Sequence, residues 1–382
     1  MKEVSFSIPQ KVICEAGSIG KISESAMEIG GKKAYIISGP HLNKIGMVKK
    51  VSDALLDAGI ESESFTETEG NPSTDTVHRA AELFRASGAD FIVAFGGGSP
   101  LDVAKAVAVV ATYGGNITEY EGGGKVKGPV VPMIAIPTTA GTGSEVTAFS
   151  VITDHERNYK LTVASNYLLP QVVLIDPELI TSVPAGTAAA CGIDAMIHAL
   201  EAYVSLAATS FSDMFAREAL SLIGGNIRRY VNDRSDMEAC EAMIMGSLYA
   251  GIAFSHARLG NVHAMSHPVS AFYNVAHGVA NAILLPTVVD YNMREAGDKY
   301  FYIYDCITKN KISPEEFSPD MLGAELRILN GELGIPAKLS EVGVDSANFD
   351  AMADDAMKSG NIKVNPRFTT KADILRLYSL AY

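Results

Sequence analysis

Residues 91–112 read FIVAFGGGSPLDVAKAVAVVAT. Phe91–Phe95 is apolar at every position rather than alternating, the pattern of a strand in a parallel sheet covered by helices on both faces. Gly96, Gly97, Gly98, Ser99 and Pro100 follow at once, and Leu101–Thr112 continues with helical spacing. Three glycines let backbone amides come close to an anion. Pro100 suits the first helical turn, and the helix N-terminus offers free N–H groups with partial positive charge. A pyrophosphate fits such a turn. The segment does not reproduce the G-x-G-x-x-G fingerprint, and a glycine-rich strand-to-helix turn can be merely tight, so taken alone it leaves both readings open.

Working outward, Ala34–Ser38, Val130–Ile136 and Val172–Ile175 are further apolar, β-branched runs separated by helical stretches, as in parallel strands joined by crossover helices. The run after Val130–Ile136 is Pro137-Thr138-Thr139-Ala140-Gly141-Thr142-Gly143-Ser144-Glu145. Small and hydroxyl residues there fall on the carboxyl edge of the sheet, where open α/β folds bind ligands. Asn71-Pro72 is first of all a turn signal. Beyond Pro184 the chain is rich in Ala, Leu, Met and Glu with helical spacing through Tyr203, Phe211–Arg229 and Met237–Phe254, and no strand pattern returns. The expected fold is α/β, an N-terminal Rossmann-like parallel-sheet domain (1–184) followed by a C-terminal all-helical domain (185–382). The boundary rests on the change of period and on Pro184 with Gly186.

A length of 382 residues suits two domains. No run of about 18 apolar residues and no basic-then-apolar leader is visible, so a cytoplasmic protein with no membrane partner is expected. Cys14, Cys191, Cys240 and Cys306 form no CxxC pair, which argues against a disulfide framework or a thiolate metal site. A net charge of -13 disfavours nucleic acid and anionic lipid, leaving small molecules as the expected partners.

Asp194 and His198 are four apart in the helical run Ala188–Val204, so both leave the same face. His263 and His267 repeat that spacing, and His277 lies ten residues further on. An isolated histidine on an apolar helix is more often a satisfied core residue than a ligand; four of the eight histidines in two short stretches form a joint pattern that chance explains poorly. One carboxylate with several imidazoles suits a divalent ion of borderline hardness, Fe2+ or Zn2+, without choosing between them. A dinucleotide in the first domain and such an ion in the second point to hydride transfer at an alcohol carbon, with the metal acting on the oxygen and a spare imidazole relaying the proton.

Four stretches carry a family resemblance: GGGSPLDVAK at 96–105, PTTAGTGSEVT at 137–147, GIDAMIHALEAY at 192–203 and LGNVHAMSHPVSAFYNVAHGVANAILLP at 259–286. With these the chain resembles the iron-dependent (group III) alcohol dehydrogenases, in particular their lactaldehyde-reducing and propanediol-oxidising branch. The resemblance implies an NAD(H)- or NADP(H)-linked enzyme acting on a small alcohol, diol or aldehyde, assembled as a homodimer or higher homo-oligomer. It implies Asp194, His198, His263 and His277 as metal ligands. His267 and His277 are the catalytic histidines it implies, with His267 beside the nicotinamide and aiding proton transfer. Gly97, Gly98, Ser99 and Asp102 would hold the pyrophosphate, Thr138, Thr139 and Ser144 would line the cofactor cleft, and Asn71 and Lys160 would contact the nucleotide.

Two departures bear on specificity. NAD-preferring relatives carry an acidic residue after the first strand, able to bond the ribose 2'-hydroxyl and repel a 2'-phosphate, where this chain reads Ile37-Ser38-Gly39-Pro40. Gly39 therefore leaves NADP(H) open. Phe149 with Ser150 replaces a more polar stretch, which removes a hydrogen-bonding partner for a second substrate hydroxyl and makes simple primary alcohols at least as good an expectation as diols. The rival readings are a glycerol dehydrogenase-like or dehydroquinate synthase-like enzyme, a metal-dependent hydrolase, and a catalytically silent nucleotide-binding protein. HAMSH argues against the first, and the glycine-rich loops are unexplained by the second.

Overall fold

The computed structural model of the chain describes Phe6, Ile8 and residues 10–382. They form two compact units that part between Thr181 and Ser182. Phe6 belongs with the second, its ring stacked on Phe211 at 5.1 Å and Phe215 at 5.7 Å.

The first unit holds every described strand: β1 (Lys11–Cys14), β2 (Lys33–Ile37), β3 (Glu61–Phe65), β4 (Phe91–Gly96), β5 (Gly122–Gly123), β6 (Met133–Pro137), β7 (Phe149–Asp154), β8 (Tyr159–Ala164) and β9 (Val172–Ile175). Its helices are α1 (Ile22–Glu28), α2 (Pro40–Lys44), α3 (Met47–Asp57), α4 (Thr74–Ser87) and α5 (Gly98–Tyr113). Six strands make a sheet in the order β1-β9-β6-β4-β2-β3, parallel at every pairing. Side chains along β4 explain its unbroken apolar run. Phe91, Val93 and Phe95 join Ile22, Val48, Val51 and Leu55 from α1 and α3 on one face, while Ile92 and Ala94 join Val77, Phe84, Val103 and Val107 from α4 and α5 on the other. Each of these valine, leucine, isoleucine and phenylalanine side chains, when fully buried, stabilises the fold by roughly 1.5–3 kcal/mol.

The four strands legible in the sequence are the interior ones, β2, β4, β6 and β9. The third starts at Met133 rather than Val130, because Pro132 has no N–H for the ladder. The helix after the glycine turn starts at Gly98, not Leu101, since a first helical turn leaves the missing N–H of Pro100 without consequence. Both edge strands escaped the sequence reading. β3 is Glu61-Ser62-Glu63-Ser64-Phe65 with only Phe65 buried, and β1 has just four residues. The antiparallel pair β7–β8 escaped as well, because its turn, residues 155–158, contains no glycine; Asn158 supplies the left-handed residue with φ 47°.

A buried charge ties the β6–β7 connection to α5. Lys105 Nζ lies 2.5 Å from Ser144 O, 2.9 Å from Thr147 O and 2.8 Å from Phe149 O, with the Ser144 and Thr147 hydroxyls at 3.0 and 3.1 Å. One turn earlier, Asp102 accepts from Ser144 Oγ at 2.7 Å and from Val151 N at 3.2 Å. Burial pushes Lys105 down to about 8 although Asp102 and Glu145 pull it up, and burial raises Glu145 to about 7.

The second unit is helical throughout its described residues: α6 (Ala185–Val204), α7 (Ser210–Asn232), α8 (Met237–Ala257), α9 (Asn261–Tyr273), α10 (His277–Ile307), α11 (Asp320–Glu332), α12 (Phe349–Ala356) and α13 (Lys371–Ala381), with short 3-10 turns between. Thr209 and Ser212 form a capping box at the start of α7, and Asp236 caps α8. Close helix packing uses glycine: a Cβ on Gly224 would meet the Cys306 carbonyl oxygen at 2.5 Å. No described helix is long and apolar enough to cross a membrane.

Because the folded pKa of Glu145 is raised, the native state holds a proton that the unfolded chain has lost between about 4.5 and 7, so this group subtracts stability as pH rises through that window. Glu145→Gln removes the effect. Urea midpoints measured from pH 4.5 to 7.5 should show wild type losing ground to the variant across the window; a constant difference would contradict a protonated native Glu145.

Candidate cofactor loops and metal centre

In the first unit the chain runs from β2 outward to β3, then returns to β4 on the other side of β2 and continues inward to β6 and β9. The winding reverses between β2 and β4, and the carboxyl ends at such a switch point form the crevice where open α/β sheets take ligands. The loops there are Ser38-Gly39-Pro40 after β2 and Gly97-Gly98-Ser99 after β4. Gly96 has φ 150°, and a Cβ on it would lie 2.7 Å from Pro100 Cγ. A Cβ on Gly98 would meet Thr142 Cγ2 at 2.6 Å, and one on Gly97 would sit 3.2 Å from Thr139 Oγ1. The glycines therefore let the β4 turn and the 138–144 loop touch, which Thr138 N seals by donating to Gly96 O at 2.9 Å. No side chain caps α5, so its first amides remain open to an anion, and the glycine cradle suits the close approach of a pyrophosphate.

The other nucleotide candidates fall into place unevenly. Asn71 and Lys160, 89 residues apart, come together with Nζ donating to Oδ1 at 2.7 Å. Thr138 is buried and Thr139 half-buried beside Gly97. Asp102 and Ser144 are instead turned inward, the carboxylate using both oxygens on Ser144 Oγ and Val151 N. Gly39 has an ordinary extended backbone, φ -101°, and the one atom near an added Cβ is Thr68 O at 3.4 Å.

In the second unit α6 presents Asp194, His198 and Glu201 from one face, at spacings of four and three. α9 adds His263 and His267 from a second direction, and His277 opens α10. Ligand atoms of Asp194, His263 and His277 all lie within 4.8 Å of one another. His263 Nε2 is 3.6 Å and His198 Nε2 4.0 Å from the same Asp194 oxygen, and the His198 and His263 rings stack at 4.6 Å. His267 stands at the margin, its ring 5.3 Å from His277 and 6.4 Å from His263. The Phe254 ring covers His198 at 4.5 Å, an apolar neighbour that keeps water from that side.

Asn281, one turn after His277, tests whether this donor set suits a cation. Its Nδ2 is 2.6 Å from Asp194 Oδ1 and 3.1 Å from both His263 Nε2 and His277 Nε2. A partial positive charge thus occupies the point on which the donors converge, and Asn281 Oδ1, fully buried, has no hydrogen-bond partner among the described residues. Burial would raise the Asp194 carboxyl, but His198, His277 and His263 hold it far below the usual carboxylate range. Burial likewise opposes a charge on His263, yet Asp194 and Glu201 outweigh it and lift the imidazole to about 9. A buried anion wrapped by imidazoles fits a divalent ion, which has to displace the His263 proton.

Three residues here carry no signal of their own in the sequence. Glu201 lies within the same motif as Asp194, seven residues on, and that helical register was the one available hint. Asn281 is four after His277. Lys105 sits in an apolar helix where a lone lysine reads as solvent-facing.

Convergence depends on Gly278. A Cβ there would lie 2.2 Å from the Ala190 carbonyl oxygen, so α10 can start against the α6 backbone only with glycine next to His277. Gly278→Ala should cost about 1–3 kcal/mol, the usual penalty of overpacking, and should lower bound metal. Urea unfolding with metal analysis checks this, and wild-type values for both would show that the approach is not constrained.

Two family models match the chain: iron-containing alcohol dehydrogenase over residues 9–177, and the C-terminal part of the Fe-containing alcohol dehydrogenase family over 188–382. The chain is 35% identical to an NAD-dependent methanol dehydrogenase of Bacillus methanolicus over 375 residues, 98% of each chain. It is 37% identical to a lactaldehyde reductase of Escherichia coli (strain K12) over 370 residues, 96% of each. A crystal structure of a 1,3-propanediol oxidoreductase superposes with a TM-score of 0.94 at 36% identity, covering all of both chains. The parallel-sheet N-terminal part and the helical C-terminal part agree with these matches, and the chain belongs to the iron-containing alcohol dehydrogenase family.

Proposed function

We propose that this protein interconverts short-chain primary alcohols, diols included, and their aldehydes with NAD(H) or NADP(H), as a cytoplasmic homodimer or higher homo-oligomer. The observation that carries the reading is the convergence of Asp194, His263 and His277 in a chain whose other unit ends β4 in an open glycine cradle. Asp194, His198, His263 and His277 would hold the ion, Fe2+ by family and Zn2+ as the competitor of like ligand preference. Bound there, the ion supplies a Lewis acid for an alcohol or carbonyl oxygen, and a nicotinamide cofactor supplies or accepts the hydride.

The chain's own residues divide the remaining work. Asp194 contributes the anion that offsets the ion's charge, and the imidazoles leave the site short of a second negative charge, so it stays electrophilic. Phe254 and the apolar faces of α6 and α8 exclude water, which strengthens each electrostatic contact. His267, one turn beyond His263 and close to His277, would pass a proton between substrate oxygen and solvent, a reading its ring 5.3 Å from that of His277 supports. Gly97, Gly98 and Ser99 receive the pyrophosphate on open amides, while Asn71 and Lys160 act as one hydrogen-bonded pair toward the nucleotide. Asp102 holds Ser144 and β7 in place beneath that loop; a direct contact with pyrophosphate would set two anions together.

Phe149, which opens β7 half-buried, has a side chain that offers no hydrogen bond to a second hydroxyl, so simple primary alcohols are at least as good an expectation as diols. Cytoplasmic residence is supported by the four cysteines, none of which is disulfide-bonded.

Anaerobically purified protein, analysed for metal and assayed with a panel of alcohols and aldehydes, tests the reading. His263→Ala should lose both metal and turnover. His267→Ala should keep its metal while kcat falls by about 10²-fold or more, as for loss of a general acid or base, and an unchanged rate would remove its proton role. For cofactor choice, Gly39→Asp is sterically admissible and should cut kcat/KM with NADP about tenfold relative to NAD, or about 1.4 kcal/mol. An unchanged NADP-to-NAD ratio would free Gly39 of that role.

A further inference from the structure

His263 is 1% exposed and engages a partner through each ring nitrogen. Nε2 faces Asp194 and His277, whereas Nδ1 lies 2.6 Å from Glu201 Oε2. An ionised carboxylate only accepts, so the hydrogen on Nδ1 belongs to the Glu201 contact and Nε2 is the nitrogen left for a metal. Glu201 is itself 3% exposed, and its other oxygen accepts from Val262 N at 2.7 Å. That bond serves one of the amides at the start of α9, whose N-cap, Gly260, offers no side chain. Gly260 is also what makes room, because a Cβ there would lie 2.8 Å from Glu201 Oε1 and 3.0 Å from Asn365 Oδ1. One face of α6 thus carries two metal donors and, a turn later, a carboxylate gripping both the backbone and the imidazole of the helix that brings the third.

We propose that Glu201 is a positioning residue for the metal centre: it keeps the His263 hydrogen on Nδ1 and clamps the start of α9, so that Nε2 meets the ion as a lone pair. This rests on reading Asp194, His198, His263 and His277 as the metal donors. The simpler role, a helix cap alone, makes a different forecast. Glutamine has one accepting and one donating end and cannot serve both Val262 N–H and Nδ1–H. With its oxygen on Val262, its NH2 group faces Nδ1 and selects the tautomer whose hydrogen is on Nε2, which offers a metal nothing. Losing such outer partners of a metal-bound histidine weakens metal binding by 10- to 100-fold in general.

The test uses the full chain stripped of metal, titrated with Zn2+ against a chromophoric chelator and separately loaded with Co2+ for its visible spectrum. Glu201→Gln should bind Zn2+ about 10- to 100-fold more weakly and shift the Co2+ bands. A lowered melting temperature with wild-type Zn2+ affinity and Co2+ spectrum would reduce Glu201 to a cap and overturn the proposal. If that variant does not fold, Gly260→Ala decides, since it displaces Glu201 Oε1 without removing the carboxylate: weaker Zn2+ binding supports the clamp, and unchanged binding overturns it. His263→Ala runs alongside. Should it retain wild-type affinity, the donor assignment fails rather than the role of Glu201.

Discussion

A carboxylate nearly sealed from solvent, Asp194 at 2% exposure, is the constraint around which the helical unit is arranged. An isolated anion at such depth costs many kcal/mol or takes up a proton. Here three imidazoles and the Asn281 amide surround it, and the carboxyl is held strongly ionised. Satisfying that one charge demands donors from three helices at a single point. The register of α6, the start of α9 beside Glu201, and the glycine that lets α10 begin against Ala190 all follow from that demand.

The sheet unit has a buried charge of the opposite sign. Lys105 is completely enclosed, with three carbonyls and two hydroxyls of residues 144–149 around its ammonium, and Asp102 holds the same segment one turn earlier. A fully satisfied polar cluster in a medium of low polarity is stiff, because any displacement leaves a buried group unpaired. The loop beside the glycine cradle is therefore fastened from below, while the amides at the head of α5 stay open. In each unit the functional surface is kept in place by polar groups behind it that are removed from solvent.

Glycine marks where backbones must touch. Gly98 lets the β4 turn meet Thr142, Gly260 admits Glu201, and Gly278 admits the Ala190 carbonyl, with added Cβ atoms at 2.6, 2.8 and 2.2 Å from those neighbours. None of the three has the left-handed backbone that usually explains a glycine. Their requirement is space, and the atoms filling it are 44, 59 and 88 residues away in sequence, counting from Gly98 to Thr142, Gly260 to Glu201 and Gly278 to Ala190.

Local sequence carries the interior of the sheet, the change to helix near Pro184 and the candidate donors Asp194, His198, His263 and His277. The first two are written as periodicity, β4 being apolar on both faces because helices cover both. Asp194 with His198 and His263 with His267 stand out by a spacing of four, which shares a helix face, and the choice of the four donors came from the family resemblance. Tertiary structure alone decided the rest. The edge strands β1 and β3 pair on one side only and so lack the continuous apolar run, and β7–β8 turns through Asn158 without a glycine signal. Glu201, Asn281, Lys105 and the inward turn of Asp102 matter through what lies opposite them, and a partner dozens of residues away leaves no mark on local spacing.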